Sequence, residues 1–367
     1  MKAVALDMDD HKIHIVDVEE PQIERPDQVK VKVLEVGVCG TDREEASGGR
    51  ADAPPGEKQL IIGHEMLSEV VEVGSKVTRF KPGDLAAITV RRGCGKCSSC
   101  AAKAFDMCYT GEYTERGIKE RNGYQTGFVI EEEQYIVKVP SHLRSVGVLT
   151  EPTSVVEKAI DEMALMQTVR LPGEKDPKKW FQGKKVLIAG LGPIGLLGAM
   201  VLKLRGANVY GLDVVPPDSS RPRLFEKLGG HYQYGKEVHI SDLVTDCGQV
   251  DAIFEATGIP NLDFDLLSVL GVNGIYVLTG VPGTSREISV KGAEILKTLV
   301  FKNQVLFGSV NANQRHWEMA VEDLAAAKER WGEVIDGIVT HRVPYDQAEK
   351  ILMEHPADEI KAVIKWN

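Results

Sequence analysis

The stretch VLIAGLGPIGLLGAMVL, residues 186–202, decides the fold of the second half of the chain. The apolar run VLIA predicts a buried strand, and the apolar run after the glycines predicts a buried helix. Between the two lies a G-x-G-x-x-G motif formed by Gly190, Gly192 and Gly195. A membrane-spanning helix is the alternative for seventeen residues without a charge, but four glycines and a proline favour a strand, a turn and a helix in succession.

A glycine turn of this kind, directly between a strand and a helix, is typical of a dinucleotide-binding site. The first glycine permits the tight turn, the second lets the backbone approach a pyrophosphate, and the third lets the helix pack on the strand. The N–H groups and the positive dipole end of the helix then favour phosphate. A turn that serves packing alone is the alternative. The residues that we expect to bind the cofactor here are Gly190, Gly192, Pro193, Ile194 and Gly195.

An acidic residue at the end of the next strand normally binds the ribose in the adenosine half of the cofactor. Asp213 holds that position in NVYGLD, and its carboxylate would repel a 2′-phosphate, so we expect NAD to be preferred over NADP. Arg221 and Arg223 lie a few residues later and could offset that charge, which keeps the use of NADP open. Thr257 and Gly280 end two later strands and are further candidates for the cofactor site.

Strand and helix patterns alternate from Lys184 to Gly280, which predicts a doubly wound parallel sheet of the Rossmann type, with helices on both faces. The first third of the chain reads differently, as short alternating strands separated by turns such as Lys81-Pro82-Gly83-Asp84. That pattern predicts an antiparallel, barrel-like domain with long loops. A pair of helices is expected over residues 143–166, and a polar connector follows it.

The tail of the chain no longer repeats the parallel unit. From about Asn313 it gives a helix, a strand, a short helix and the closing segment KAVIKWN, so we expect it to return to the first domain. A chain of 367 residues also exceeds the size at which one core keeps growing. We therefore predict a catalytic domain over residues 1–180, a nucleotide-binding domain over residues 181–310 and a return to the catalytic domain over residues 311–367.

The composition excludes some classes of partner. Fifty-four acidic against 44 basic residues give a net charge of −10, which argues against a nucleic-acid surface, because such a surface needs a lysine or arginine stripe. The chain begins MKAVALDMDD and turns acidic before any apolar segment of useful length, so no signal peptide is readable. We expect a cytoplasmic protein with neither a nucleic-acid nor a membrane partner.

Four cysteines lie within fifteen residues, at Cys94, Cys97, Cys100 and Cys108. Thiolates repel one another and bind soft cations, and four of them fit the tetrahedral coordination of zinc. Two disulfides are the alternative, but they need an oxidising compartment that nothing else in the sequence indicates. Because four sulfur ligands leave no vacant position for a substrate, we expect a structural zinc that holds a lobe at about residues 91–112.

Two cysteines remain, Cys39 and Cys247. Cys247 matches no motif and is expected to be an inert or surface thiol. Cys39 closes an apolar strand, and His64 and Glu65 follow another. Each of these residues alone is explained by ordinary burial. Beside a dinucleotide site, however, they suggest a catalytic zinc, which keeps three protein ligands and one open position.

The order of CGTD, GHE, VGSKVTRFKPGD, the four-cysteine lobe and GLGPIG resembles the zinc-dependent medium-chain dehydrogenase/reductases over nearly all of the chain. The stretches TVRRGCGKC, TGEYTERGI, EPTSVVEKAI and GSVNAN narrow the resemblance to the glucose dehydrogenases of that superfamily, first familiar from archaea. The resemblance implies a GroES-like β-barrel catalytic domain beside the Rossmann domain. It also implies two zinc ions per chain, one catalytic and one structural, and NAD or NADP as cofactor.

The resemblance implies that Cys39, His64 and Glu151 bind the catalytic zinc. Glu65 matches a position that in relatives binds the metal either directly or through water. Adjacent residues of an extended segment point to opposite faces, so His64 and Glu65 reach one metal only where the backbone departs from regular geometry. We therefore favour Cys39, His64 and Glu151 as the direct ligands, with Glu65 behind them or exchangeable with Glu151, so the identity of the third ligand stays open.

The resemblance also assigns residues that handle the substrate. Thr41 matches a hydroxyl that relays the substrate proton, and Glu44 stands where alcohol dehydrogenases often end the relay with a histidine. Glu112 in TGEYTERGI and Asn311 in GSVNAN match positions that hydrogen-bond sugar hydroxyls. Ordinary loop capping is the alternative for these two. Thr41 and Glu151 are likewise expected to contact the substrate.

The leading hypothesis is a zinc-assisted oxidation of an aldose, D-glucose or a close epimer, at C1 to the lactone, with hydride transfer to NAD(P)+. One alternative keeps the site but takes a polyol, a secondary alcohol or a threonine-like substrate. Another is a non-enzymatic redox sensor that binds zinc and a dinucleotide, although the retention of Cys39, Thr41, His64 and Glu151 speaks against it. The resemblance further implies a homodimer or homotetramer that associates through the edge of the parallel sheet.

Overall fold

The structure of the protein is a computed structural model, and it describes residues 1–283 and 287–366. Among these residues, no helix combines the length and the apolar character that a membrane crossing requires. The stretch over residues 186–202 instead lies in a strand, Lys185–Ala189, a glycine turn and a helix, Pro193–Leu204. The predicted succession of strand, turn and helix is therefore confirmed.

The chain divides into two compact units. The first unit comprises Met1–Ser154, Asn311–Lys328 and Ile335–Asn367, and the second unit comprises Val155–Val310 and Glu329–Val334. Asn367, the last residue of the closing segment KAVIKWN, lies outside the described residues. The domain boundaries expected from the sequence, at residues 180 and 310, stay predictions.

The N-terminal part of the chain is built mainly of short strands. In chain order its elements are the strands β1 (Lys2–Asp7), β2 (Ile13–Asp17), β3 (Gln28–Gly37), β4 (Gln59–Ile61), β5 (Glu65–Val73), β6 (Leu85–Ile88), β7 (Arg91–Arg92), β8 (Thr114–Arg116), β9 (Glu120–Arg121), β10 (Phe128–Glu132) and β11 (Ile136–Val139), and the helices α1 (Gly40–Ala46), α2 (Ser98–Ala101) and α3 (Thr150–Arg170). Strand β3 illustrates the sequence pattern that favours strands here. Every second residue from Val29 to Val33 is a fully buried valine.

The predicted pair of helices over residues 143–166 is wrong, because one long helix takes most of that segment. Residues 141–143 and 147–149 form short 3-10 turns, and α3 then runs from Thr150 to Arg170. Pro152 lies in the first turn of α3, where proline is tolerated because its missing N–H is not needed. No glycine or proline occurs from residue 153 to residue 170, so nothing in the sequence ends the helix earlier.

The second unit contains a six-stranded parallel sheet. Its elements in chain order are β12 (Lys185–Ala189), α4 (Pro193–Leu204), β13 (Asn208–Asp213), α5 (Ser220–Lys227), β14 (His231–Tyr234), α6 (Ile240–Cys247), β15 (Val250–Glu255), α7 (Pro260–Asp265), β16 (Leu270–Leu278), α8 (Gly292–Phe301) and β17 (Val305–Gly308). The strand order is β14-β13-β12-β15-β16-β17, so the order reverses at β12, where doubly wound sheets bind ligands. The predicted Rossmann-type sheet is confirmed.

The apolar residues of segment 262–270 predict one helix that is followed by a strand from Gly274, but the helix in the structure is shorter. Helix α7 ends at Asp265, a 3-10 turn follows at Leu266–Ser268, and Leu270 already begins β16. The apolar residues of this segment fit either a buried helix or a buried strand. Periodicity alone therefore placed the start of β16 several residues too late.

The tail of the chain joins the main sheet of the first unit. Its elements are α9 (Gln314–Trp331), α10 (Glu333–Asp336), β18 (Val339–Pro344), α11 (Ala348–Met353) and β19 (Lys361–Lys365). Strand β19 pairs antiparallel with β3 and parallel with β18, in a sheet of order β11-β6-β5-β3-β19-β18 to which β10 adds by pairing with β3. Two three-stranded sheets, β2-β1-β4 and β7-β8-β9, complete the described strands of this unit.

Candidate active site and cofactor site

The antiparallel pair β3 and β5 assembles a group of metal-ligating side chains. The pairing aligns Gly37 with Glu65, so Cys39, just after β3, and His64, just before β5, lie at the same end of the two strands. The ligand atoms of Cys39, His64 and Glu65 lie within 4.8 Å of one another. We call these three residues the mixed cluster. A thiol, an imidazole and a carboxylate fit a zinc ion that keeps an open position.

Glycines make the close approach in the mixed cluster possible. A Cβ at Gly37 would lie 2.1 Å from a carboxylate oxygen of Glu65, so any larger residue would displace that side chain. Gly63 has a φ of +90°, which is the departure from extended geometry expected beside His64. Because His64 lies outside β5 and Glu65 begins it, the two adjacent side chains can point into one cluster.

Cys39 and His64 each contact a second polar group. The Cys39 Sγ lies 3.8 Å from the Thr41 Oγ1, and the His64 Nδ1 lies 3.3 Å from the Asp42 Oδ1. Burial lowers the pKa of His64, but the Asp42 carboxylate outweighs burial, so the pKa of the imidazole lies well above its ordinary value. Since Nδ1 faces Asp42, Nε2 is the His64 nitrogen left for a metal.

Glu65 is paired with Lys361, a residue that belongs to none of the sequence motifs. The Lys361 Nζ donates hydrogen bonds to the Glu65 Oε1 at 2.6 Å and to the Val38 carbonyl at 2.9 Å. The two side chains are 3% and 1% exposed. Burial lowers the pKa of Lys361, but Glu65 outweighs burial and raises it above its ordinary value. The sequence feature that could have indicated Lys361 is its position at the start of the apolar run KAVI, because a lysine beside buried residues needs an acidic partner.

Glu151 lies near the mixed cluster rather than in it. It stands in the first turn of α3 and is 8% exposed, and burial raises its pKa to about 7. His64 lowers and Glu65 raises the same pKa, so Glu151 is within electrostatic reach of both. The structure thus brings Cys39, His64 and Glu65 together, and the choice between Glu65 and Glu151 as zinc ligand stays a prediction.

The four cysteines of the lobe form a second group of ligands, which we call the cysteine cluster. Its members are Cys94, Cys97, Cys100 and Cys108, whose sulfur atoms lie within 4.8 Å of one another and are free thiols. The Sγ atoms of Cys94 and Cys100 are 3.9 Å apart, almost twice the length of a disulfide bond, about 2.05 Å. The disulfide alternative is therefore not formed, and four soft donors with no other ligand fit a structural zinc.

Arg91 ties the lobe to the strands beside it. Its Nη1 donates to the Asp106 carbonyl at 2.7 Å, and its Nε and Nη2 donate to the Glu115 Oε1 at 3.1 and 3.0 Å. Its guanidinium also stacks on the Tyr113 ring, 3.9 Å from the centroid. Asp106 lies between the third and fourth cysteines of the cysteine cluster, so Arg91 connects the lobe directly to Glu115.

Glu115 also contacts one of the two residues that the sequence assigned to the sugar. The Asn311 Nδ2 donates to the Glu115 Oε1 at 2.8 Å, and both residues belong to the first unit. Glu112 is exposed and forms an ion pair with Lys96. The segment TGEYTERGI holds both glutamates, three residues apart, and only the fold shows that Glu115 is the one that meets Asn311. Glu115 is therefore a candidate for the site that the sequence motifs did not indicate.

The glycine turn has the geometry that its motif predicts. Helix α4 begins at Pro193 with Gly192 as the preceding residue. A Cβ at Gly195 would lie 1.8 Å from the Gly190 carbonyl oxygen, so the third glycine is needed for the helix to pack on the strand. The first N–H groups of α4, including that of Ile194, are left for an anion such as a pyrophosphate.

Asp213 lies at the end of β13, next to the glycine turn. Its Oδ2 accepts a hydrogen bond from the Leu191 N–H at 2.7 Å, and its Oδ1 accepts one from the Val214 N–H at 2.6 Å. Each carboxylate oxygen has a further lone pair, so the side chain can still accept a ribose hydroxyl. Arg221 and Arg223, which could offset its charge, lie on α5.

The other candidates of the second unit lie on the loops after β15 and β16. Thr257 and Gly280 both donate backbone hydrogen bonds to the carboxylate of Glu255, the last residue of β15. Cys247 lies on α6, is 2% exposed, and donates a hydrogen bond to the Leu243 carbonyl at 2.8 Å. It is a buried thiol outside both clusters.

Two family models match the chain. The model described as "Alcohol dehydrogenase GroES-like domain" matches residues 25–141, and the model described as "Glucose dehydrogenase C-terminus" matches residues 144–366. The matched regions together cover almost the whole chain. The predicted combination of a GroES-like catalytic domain and a Rossmann domain in one chain is therefore confirmed.

Individual relatives match over almost the full length. A glucose 1-dehydrogenase of Methanocella arvoryzae is 35% identical and covers 96% of both chains, and one of Caldivirga maquilingensis is 38% identical and covers 97% of this chain and 95% of the relative. Among solved structures, the Haloferax mediterranei glucose dehydrogenase in complex with NADP, Zn and gluconolactone is 29% identical. Its TM-score is 0.88, over 100% of this chain and 99% of that chain.

Proposed function

The chain belongs to the glucose 1-dehydrogenase family of the zinc-dependent medium-chain dehydrogenase/reductases, and from that premise we propose that it oxidises an aldose at C1 to the lactone. The resemblance seen in the sequence motifs is thus confirmed. D-glucose or a close epimer is the proposed substrate, because the relatives named above are glucose dehydrogenases. The same observation favours an aldose over the polyols and secondary alcohols considered from the sequence.

The observation that carries the proposal is the mixed cluster. Three different donor atoms, from Cys39, His64 and Glu65, lie within 4.8 Å in the chain that also holds a dinucleotide-type glycine turn. A zinc ion held by Cys39, His64 and Glu65 or Glu151, together with bound NAD(P)+, would supply Lewis acidity at the C1 hydroxyl and a hydride acceptor. A non-enzymatic redox sensor would not need a thiol, an imidazole and a carboxylate arranged around an open metal position.

The side chains of the protein would accept the proton of the C1 hydroxyl and hold the zinc ligands in position. The Thr41 hydroxyl, 3.8 Å from the Cys39 Sγ, would accept the proton that leaves the C1 hydroxyl and pass it on. Asp42 holds His64 by Nδ1 and so fixes the orientation of the ring. Lys361 pairs directly with Glu65 and so fixes the position of that side chain. Glu151, whose pKa is raised to about 7 by burial, is a second carboxyl within reach.

Asn311 is the proposed hydrogen-bond partner of the sugar hydroxyls, and Glu115 orients it. The hydrogen bond between the two side chains supports this role, because it fixes the Asn311 amide. The Asn311 Oδ1 accepts the Ala312 N–H at 2.7 Å, so one lone pair of that oxygen and one N–H of the amide remain for sugar hydroxyls. Glu112 remains a candidate from the resemblance, although its ion pair with Lys96 must open before it meets a ligand. Loss of Asn311 should raise KM for the sugar more than it changes kcat.

NAD is the proposed preferred cofactor, with NADP as the second choice, because the Asp213 carboxylate lies at the glycine turn. The substitution Asp213→Ser is expected to weaken the use of NAD and improve the use of NADP. Initial rates with both cofactors, before and after the change, test this role. An unchanged ratio of kcat/KM for NAD to kcat/KM for NADP would show that Asp213 does not determine the cofactor preference.

A homodimer or larger homo-oligomer is proposed from the edge of the parallel sheet. Strand β17 is the last strand of the sheet order, and apolar side chains are exposed on it and on α8 before it. These side chains are Leu296, Val300, Phe301 and Leu306. A second copy of the chain that pairs with β17 would cover them. The cytoplasmic location and the domain limits of 1–180, 181–310 and 311–367 are proposed on the sequence alone.

The proposed function is tested by initial rates with glucose, galactose, xylose and sorbitol, each with NAD+ and with NADP+. We expect reduction of the cofactor with glucose or another aldose, formation of the lactone, and loss of the rate in Cys39→Ser. Robust rates with sorbitol and none with aldoses would replace the substrate. No rate with any of them, in a protein that holds two zinc ions, would contradict the enzymatic function.

A further inference from the structure

Glu255, the last residue of β15, carries a carboxylate that is fully buried. Its Oε1 accepts hydrogen bonds from the Thr257 N–H, from the Thr257 hydroxyl at 2.8 Å and from the Gly258 N–H at 2.7 Å. Its Oε2 accepts a hydrogen bond from the Gly280 N–H at 3.0 Å. Hydrogen bonds to an ionised acceptor are stronger than neutral ones. This side chain therefore joins the loop after β15 to the loop after β16.

The same two loops lie against each other without room for side chains. A Cβ at Gly280 would lie 2.2 Å from the Gly258 nitrogen and 2.8 Å from the Glu255 Oε2. Thr257 in turn lies against the glycine turn, since a Cβ at Gly190 would be 2.8 Å from its Cγ2. The loops after β12, β15 and β16 are thus in direct contact, and Glu255 provides four of the hydrogen bonds that hold two of them.

The strand order shows which half of a dinucleotide these loops would meet. Strand β13, which ends at Asp213, lies on one side of β12, and β15 and β16 lie on the other side. In a doubly wound sheet the pyrophosphate binds at the glycine turn, with the adenosine ribose at the acidic residue of the next strand. The nicotinamide half must then extend to the opposite side, over the loops after β15 and β16.

We propose that Glu255 is a positioning residue for the nicotinamide half of the cofactor. It acts through Thr257, Gly258 and Gly280, whose loops it fixes beside the glycine turn. This inference rests on the dinucleotide site of the proposed function and gives Glu255 a role in it. The fixed loops lower the cost of ordering the nicotinamide half on binding.

The substitution Glu255→Gln tests the proposal with almost no change in shape. An amide has one accepting oxygen, so its NH₂ group must face either the Gly280 N–H or the donors of Thr257 and Gly258. In both orientations one loop loses its acceptor. We expect the dissociation constant of NADH, measured by fluorescence titration, to rise about tenfold, which corresponds to about 1.4 kcal/mol.

Binding of AMP distinguishes a specific loss at the nicotinamide half of the site from a general disruption of the cofactor site. AMP reports only the adenosine half, so its dissociation constant, measured by calorimetry, should change less than about twofold in Glu255→Gln if the site toward Asp213 is intact. Glu255→Asp keeps the charge but is one methylene shorter, and it should give a smaller loss of NADH affinity. Glu255→Asp also replaces Glu255→Gln as the test variant if the latter does not fold.

Glu157→Gln is the matched control, because Glu157 is a fully buried carboxylate of the second unit that pairs with Arg205. It should lower Tm and leave NADH binding unchanged. The proposal is overturned if Glu255→Gln binds NADH as the unmodified protein does, if AMP weakens as much as NADH, or if Glu157→Gln shows the same loss.

These measurements use no sugar, so they stand apart from the proposed substrate. If the protein shows the Glu255 effect but oxidises no aldose, the inference stands and only the substrate is wrong. If the protein oxidises glucose and Glu255→Gln binds NADH normally, the inference alone fails. If the unmodified protein binds neither NADH nor NADPH, both fail.

Discussion

The cysteine cluster and the mixed cluster are two groups of metal-ligating side chains in one unit, yet the chain assembles them in opposite ways. The cysteine cluster takes all its ligands from one segment, Cys94 to Cys108. The mixed cluster takes Cys39 from the end of β3 and His64 and Glu65 from the start of β5. The first cluster is thus a local structure, whereas the second exists only when the sheet has formed.

The partners of the ligands differ as well. In the mixed cluster the ligands contact Thr41, Asp42 and Lys361, which supply a hydroxyl, a carboxylate and an ammonium group. In the cysteine cluster a sulfur contacts another sulfur or a hydroxyl, such as the Thr110 Oγ1 at 3.4 Å from the Cys108 Sγ. The comparison indicates that the cysteine cluster stabilises the lobe. In the mixed cluster each ligand has its own polar partner, which sets its orientation and basicity, as a catalytic metal site requires.

The largest effect is expected from His64→Ala, which removes one ligand of the mixed cluster. Loss of several kcal/mol of charge stabilisation should lower kcat/KM for the aldose by on the order of 10³ or more. Zinc content, measured by mass spectrometry, should fall by one ion per chain while the cysteine cluster keeps its own. His142→Ala, at an exposed histidine, serves as control. Retained activity in His64→Ala would remove the mixed cluster from catalysis.

Cys97→Ser should act on stability instead of chemistry. Loss of the lobe zinc is expected to lower the free energy of unfolding by several kcal/mol, because metal binding there stabilises the folded lobe. The remaining folded protein should keep kcat within about threefold, a limit set by the size of indirect effects. Thermal unfolding and initial rates measure the two. Cys247→Ser, at a buried thiol outside both clusters, is the matched control, and an equal loss of stability there would contradict a structural zinc at Cys97.

Lys361→Met should destabilise the zinc-depleted protein by about 3 kcal/mol, because it leaves the buried Glu65 carboxylate without its cation. Added zinc should recover part of that loss, since a metal ion restores a positive charge beside Glu65. Denaturant unfolding with and without zinc measures both effects. Lys365→Met, at a less buried lysine on the same strand, gives the comparison. Equal stability of the two variants without zinc would show that the pair does not compensate the buried charge.

The smallest effect in this series is expected from the residues behind the ligands. Asp42→Asn should weaken zinc binding at the mixed cluster about 10- to 100-fold, because the carboxylate orients His64 and raises its basicity. Thr110→Val should change zinc binding at the cysteine cluster less than about threefold, since it removes a neutral contact. Competition with a chelator measures both affinities, and a larger effect of Thr110→Val would reverse the comparison.

The cysteine cluster could be predicted in full from the sequence, because its ligands and their spacing lie in one segment. The glycine turn was equally clear, since strand, turn and helix follow one another directly. The motifs favoured Cys39, His64 and Glu151 as direct zinc ligands, with Glu65 as an exchangeable one. The pairing of β3 with β5 explains why Glu65, rather than Glu151, lies with the cysteine and the histidine.

The missed residues are those that depend on distant parts of the chain. Lys361 is separated from Glu65 by 296 positions, and only the pairing of β19 with β3 brings the two together. Glu115 meets Asn311 across 196 positions, whereas the resemblance pointed to the neighbouring Glu112. A motif identifies the segment that carries a function, but the choice between two similar residues within it needs the packed structure.

The central claim is that the mixed cluster, and not the cysteine cluster, holds the metal on which aldose oxidation depends. Stepwise removal of zinc by a chelator, with zinc content, glucose-dependent NAD(P)H formation and Tm followed on the same samples, tests it most directly. We predict that activity is lost with the first ion, while the fold persists until the second ion leaves. Full activity in protein that retains only the zinc of the cysteine cluster would contradict the account.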